Sequence, residues 1–165
     1  MKQTVTLQSV RQEDLVRLDQ LLAAYVGEAQ VRCAILLDRT GRLLTSAGDV
    51  AGLDGTSFAS LAAADFSASD QLAELLGEQE FSALYHAGDK NSMYLADVGS
   101  GAAVLATMFD GRTTLGMVRL KSKTMLPQLT TLFHELAARP QTKTTQLDAY
   151  WLRDAVDSVD RLFNE

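Results

Sequence analysis

From Gln12 to Val26 the apolar residues Leu15, Leu18, Leu22, Tyr25 and Val26 recur at helical spacing, which predicts a first helix that buries one stripe and stops at Gly27. Residues 31–38 change to strand chemistry, and the turn Asp38-Arg39-Thr40-Gly41 leads into a second strand over 42–47, a hairpin. After a Gly/Asp-rich loop over 48–55, a second helix is expected over 56–76, closed by Gly77. Three strands follow over 81–87, 92–98 and 102–109, and their short connections make a meander. A third helix over 114–138 carries Leu115, Val118, Ser122, Met125, Leu129, Leu132, Phe133 and Leu136 on one face, with Pro127 placed to kink it.

The strands differ in a way that orders them. Residues 34–37 (AILL) and 102–109 (AAVLATMF) show no alternation, so both of their faces must be covered, whereas 42–47 and 81–87 alternate with polar residues. The first and fifth strands therefore belong in the middle, and joining hairpin to meander through them gives the order 2-1-5-4-3. The predicted fold is an α/β sandwich of the α+β kind. A five-stranded antiparallel sheet carries helices 1 and 3 on one face and helix 2 on the other. Residues 1–138 form this domain, the polar stretch 139–147 reads as a linker, and 148–165 return to helical period as a C-terminal amphipathic helix.

Composition narrows the function. The chain has 165 residues and a formal charge of −6, and no Lys/Arg cluster, which argues against a nucleic-acid surface. The N-terminus lacks an apolar signal region and no stretch is long enough for membrane insertion, so a cytoplasmic protein is expected. The single cysteine, Cys33, lies among core-like strand residues and reads as a structural thiol. His86 and His134 stand apart, on strand 3 and helix 3, with His86 expected to face solvent or a partner. Gly99-Ser100-Gly101 joins two strands, whereas a phosphate loop leads from a strand into a helix. No metal spacing, cofactor motif or catalytic constellation assembles, so no catalytic residue, metal or cofactor is assigned and an enzyme is the least supported class.

The surfaces carry more. On helix 2 the expected core face is Phe58, Leu61, Ala62, Asp65 or Phe66, Leu72, Leu75 and Leu76. The outward face then reads Ser60, Ala63, Ala64, Ser67, Ala68 and Gln71. Small residues where Lys and Glu are usual let another body approach the backbone, which makes this a candidate partner platform. Strand 3, with Phe81, Ala83 and Tyr85, is an open edge suited to pairing with a second copy. In the tail, Trp151, Val159, Leu162 and Phe163 form an apolar stripe. It either folds back on the core or acts as a tethered recognition helix that contacts a partner.

The stretches ILLDRTGRLLTSAG (35–48), DGTSFASLAAADFSA (54–68) and MFDGRTTLGMVRLKSK (108–123), in this order of elements, resemble the roadblock/dynein light-chain family. The likeness is strongest to its bacterial cell-polarity branch, whose acidic Leu- and Phe-containing tails the ending VDRLFNE is similar to. The resemblance covers residues 12–138. It implies a homodimer with one sheet running through both subunits, acting on a small Ras-like GTPase of the MglA type. It further implies stimulation of GTP hydrolysis without an arginine finger, by reshaping the GTPase's own loops, in control of polarity and motility at a cell pole. The helix 2 residues Ser60, Ala64, Ser67 and Gln71 match the family's docking helix. A different class, a scaffold or small-molecule-sensing module of the same architecture, would need an apolar cavity between the layers.

Overall fold

A computed structural model describes residues 10–139. The elements are α1 (Gln12–Ala29), β1 (Cys33–Asp38), β2 (Leu43–Gly48), α2 (Gly55–Leu75), β3 (Ala83–His86), β4 (Ser92–Val98), β5 (Ala103–Phe109) and α3 (Leu115–Ala138). All pairings are antiparallel, in the order β2-β1-β5-β4-β3. The linker from residue 140 and the C-terminal helix expected after it lie outside the described residues.

The unbroken apolar runs account for this order. Every residue of β1 is buried, and of β5 only Met108 is partly open, because each central strand is covered on both faces. Alternate residues feed two cores. Ala34, Leu36, Leu105 and Phe109 pack with Leu18, Leu22 and Tyr25 of α1 and with Leu129, Leu132 and Phe133 of α3. Ile35, Leu37, Leu95, Val104 and Ala106 pack under α2. The expected stripe of α3 is buried from Val118 to Leu136, and the helix runs through Pro127.

Two polar joints lock the α1/α3 layer. The Tyr25 hydroxyl lies 3.0 Å from Thr107 Oγ1 and 2.9 Å from Ser122 Oγ, tying α1 to β5 and α3, and burial raises its phenol above the ordinary value. At the other end of α1, Asp14 caps the helix by accepting from the Arg11 N–H at 2.9 Å. It also receives the Arg139 guanidinium at 2.5 and 2.9 Å. Arg139, read from sequence as the start of a linker, is thus clasped to the domain. Its hydrogen bond holds the buried Asp14 carboxyl below the usual range despite the opposing effect of burial.

Because the folded value is lowered, the stability this pair confers is complete above the unfolded aspartate value of about 4 and is lost as pH falls through the lower folded one. Asp14→Ala is expected to cost about 2 kcal/mol at neutral pH, through loss of cap and ion pair together. The gap to the parent chain narrows as pH falls below the unfolded aspartate value, because the parent's ionised pair is progressively lost. Urea midpoints measured at pH 7 and pH 3 check this, and a gap that does not depend on pH would rule it out.

Gly27 does not stop α1. The helix continues to the fully buried Ala29 and ends at Gln30, whose φ of 54° supplies the left-handed cap. Gly27 has open space around it, and burying Ala29 rewards one more turn. Strand β3 is shorter than the predicted 81–87 and leaves Phe81 outside it. Cys33 is buried, and that burial pushes its thiol up to about 11, the state of an inert core cysteine.

Candidate functional site

The outer face of α2 and the β3 edge form the candidate site, and their placement begins with the helix cap. Asp54 accepts from the Thr56 and Ser57 N–H groups at 3.1 and 3.2 Å and starts α2 at Gly55. Gly77, with φ 78°, closes it: its N–H reaches the Glu74 carbonyl at 3.1 Å and that of Glu78 reaches Ala73 at 3.0 Å.

Between those ends α2 meets the sheet through small residues. Ala59, Ala62, Ala63, Ser69 and Ala73 are buried, with Phe66 as the large side chain among them. The hairpin turn comes up directly underneath. Gly41, at φ 90°, approaches so closely that a Cβ there would stand 2.9 Å from the Ser60 Cα, so glycine is required. The preceding turn is organised by buried Asp38, which accepts from the Thr40 N–H at 2.9 Å and the Arg42 N–H at 3.0 Å. Burial alone would raise the Asp38 carboxyl, but the Thr40 hydroxyl, which donates to it at 2.6 Å, together with the Arg42 side chain and these backbone bonds outweighs burial and holds it low.

Two side-chain ties fix the roll of the helix. The Arg39 guanidinium donates to Asp70 at 2.6 Å and lies 4.6 Å from the centre of the Phe66 ring. On the opposite flank His86 Nε2 of β3 lies 2.7 Å from Asp65 Oδ2. His86, expected to face solvent or a partner, is exposed, and its ring also meets Asp65 of its own chain.

With the roll fixed, the face assignment made from sequence is partly reversed. Ala63, placed outward, is 7% exposed and packs on the sheet. Leu61, Leu72, Leu75 and Leu76, placed in the core, are 71%, 56%, 83% and 73% exposed. The reason is distance. Alanines let the helix backbone settle close on the sheet, and leucines there would hold it off. Ser60, Ala64, Ser67, Ala68 and Gln71 are exposed as expected.

The outer face therefore has two parts. Leu61, Ala64, Ala68, Leu72 and Leu75 follow one another at spacings of three, four, four and three, a single apolar ridge at about 100° per residue. Ser60, Ser67 and Gln71 form a polar flank beside it. The ridge lies on the side of Asp65, and so toward β3. That spacing was the signal available in the sequence for a second apolar face.

Strand β3 pairs with β4 alone among the described residues and is the edge of the sheet. Ala83 is half-buried, and the exposed Tyr85 stacks on Phe109 with ring centres 6.3 Å apart. Phe81 is half-buried just before the strand. Platform and edge are thus contiguous, through Asp65 and His86. Trp151, Val159, Leu162 and Phe163 lie outside the described residues. Among those described, no group of His, Cys, Asp and Glu could hold a metal ion, and no helix is long and apolar enough to cross a membrane.

An antiparallel sheet in the order 2-1-5-4-3, with one helix on one face and two on the other, is an architecture shared with known proteins. A family model for the Roadblock/LC7 domain matches residues 17–109, and the chain belongs to that family. Within it the chain is similar to Myxococcus xanthus MglB, at 37% identity and a TM-score of 0.74 over 79% of this chain and 97% of that one. An MglB with a tetrameric arrangement is 28% identical, with a TM-score of 0.72 over 77% and 95% of the two chains. The gliding protein MglB of Thermus thermophilus is 29% identical, with a TM-score of 0.67 over 74% and 90%. Comparison with curated proteins gives no significant match.

Proposed function

We propose that this chain is a homodimeric regulator that stimulates GTP hydrolysis by a small Ras-like GTPase of the MglA type. The observation that carries the reading is the contiguity of the β3 edge, open on one side among the described residues, with an exposed leucine ridge, in a chain similar to MglB. A second copy that adds its β3 to this β3 brings the two α2 ridges together across a two-fold axis and removes both liabilities at once. The polar flanks of Ser60, Ser67 and Gln71 then lie side by side as one platform for the GTPase. In this reading the protein works in the cytoplasm, at a cell pole, in polarity and gliding motility.

Three ion pairs within the chain support loop reshaping over an arginine finger. Arg39 is held by Asp70, Arg42 by Asp38 at 3.2 Å and Arg112 by Asp110 at 2.8 Å. A finger must reach the transferring phosphoryl group, and each of these is committed inside its own chain. On the α2 side the sensing alternative has less to stand on, because Phe66, Ile35, Leu37, Leu95 and Val104 fill the layer between α2 and the sheet.

GTP turnover by an MglA-type GTPase, measured with the parent chain and three variants, tests the reading. Ser67→Arg places a long cation on the flank, and should abolish stimulation while leaving the dimer intact. Arg42→Ala and Arg112→Ala should each stay within a few-fold of the parent, against the roughly 10³-fold or larger loss of a removed finger. Full stimulation by Ser67→Arg would remove the platform, and a finger-sized loss at either arginine would remove the mechanism.

A further inference from the structure

The sheet face on the α1/α3 side is open at its β3 end. Between β3, β4 and the first half of α3 runs a groove of about 490 Å³ with Tyr85, Tyr94, Leu115 and Leu126 along it, Arg119 and Lys123 beside them, and one acid, Asp97, whose carboxylate is taken up by the Gly101 N–H at 3.0 and 3.1 Å. From 115 to 127, α3 carries Arg119, Lys121 and Lys123 and no acid. Lys121 lies 3.6 Å from Glu28, whereas Arg119 and Lys123 are exposed and form no ion pair among the described residues. In a chain of net charge −6, unneutralised cations beside an aromatic groove select an acidic, apolar occupant.

The chain contains such a segment. Residues 148–165 hold five acids, Asp148, Asp154, Asp157, Asp160 and Glu165, against Arg153 and Arg161, interleaved with Trp151, Val159 and Leu162. Reach is sufficient. The twelve residues from Leu126 to Ala138 measure about 18 Å along α3, and residues 140–147 can span about 26 Å. Residues 1–9 carry Lys2 and no acid, the wrong sign for this wall. A second groove of about 440 Å³, between α1 and α3, is a poorer match because its cation, Arg17, is committed to Glu135 at 2.9 Å.

We propose that residues 148–165 fold back into the groove between β3–β4 and the first half of α3, with their acids against Arg119 and Lys123 and Trp151 on its apolar floor. Exposed ion pairs are individually weak, but attachment to the same chain raises the local concentration to the millimolar range, where weak contacts suffice. The berth is independent of what α2 binds. It lies on the other face of the sheet, and edge pairing through β3 would place two such grooves next to each other without covering them.

Trp151 is the chain's one tryptophan, so its fluorescence in the full-length protein reports the berth directly. The expected result at low salt is blue-shifted emission and protection from acrylamide, compared with a peptide of residues 140–165. Combining Arg119→Glu with Lys123→Glu, both at exposed positions, should lower the berthed-to-free ratio about tenfold, shift emission to the red and raise quenching toward the peptide's. Salt at about 1 M, where screening length falls to about 3 Å, should act in the same direction. Adding Asp154→Lys and Asp157→Lys to the reversed wall should restore protection, and circular dichroism verifies that each variant is folded. A parent chain whose Trp151 is quenched like the peptide's would overturn the proposal. So would a protected Trp151 that ignores the reversal at Arg119 and Lys123 or responds instead to Arg17→Glu.

Discussion

A chain carrying Leu61→Arg and Leu72→Arg is expected to sediment as a folded monomer and to lose stimulation of the GTPase. Both side chains are more than half exposed, so the fold does not depend on them. In a two-fold interface each change occurs twice, and every leucine lost forfeits about 2 kcal/mol of burial. The arginines would also face one another across the axis with their charges desolvated. An increase of at least about a thousandfold in the dimer dissociation constant follows. Sedimentation velocity over a concentration series measures it. A variant as dimeric as the parent would show that the ridge serves something other than self-association. Ser67→Arg separates the two roles of the helix, because it should spare the dimer and block only the GTPase.

Phe66→Ala should produce the largest loss of stability among single core changes on the α2 side. That layer consists of alanines and a serine around one fully buried ring, so truncation leaves a cavity that neighbours as short as Ala62 and Ala63 cannot refill. The cost is about 4 kcal/mol, or a drop of about 12 °C in Tm. Arg39 would lose the ring it lies over as well, leaving its guanidinium with Asp70 alone. Because α2 holds both ridge and flank, dimerisation and GTPase stimulation should fail together as the helix loosens, and amide exchange in α2 should quicken before that in β1 or β5. A Tm within about 3 °C of the parent's, equivalent to roughly 1 kcal/mol, would mean that the ties at Asp65 and Asp70 hold the helix without the ring.

What the sequence disclosed and what it hid have a common cause. The strand order followed from AILL and the run ending in Thr107, Met108 and Phe109, since a strand covered on both faces cannot alternate. The stripe of α3 is a local pattern and was equally readable. The roll of α2 was not. Hydrophobicity ranks leucine above alanine for burial, whereas the geometry of a helix lying on a turn at Gly41 selects alanine, and only the fold brings Gly41 under Ser60. The clasp of Arg139 on Asp14 joins positions 125 apart in sequence, and His86 on Asp65 is settled by the pairing of β3 with β4. Of the candidate site, the exposed small residues Ser60, Ala64, Ser67 and Ala68, with Gln71, were legible. The ridge that borders them was not, because it required knowing which of two apolar faces the sheet would take.

The clasp at Asp14 makes residue 139 a pivot. Without it the last turn of α3 could unravel and release chain, and everything beyond would start from a wandering origin. Anchored, the C-terminal segment departs from one fixed point on the domain. Spacer residues inserted just after Arg139 would therefore dilute that segment near any surface of the domain, with roughly a −3/2 power dependence on the tether's length.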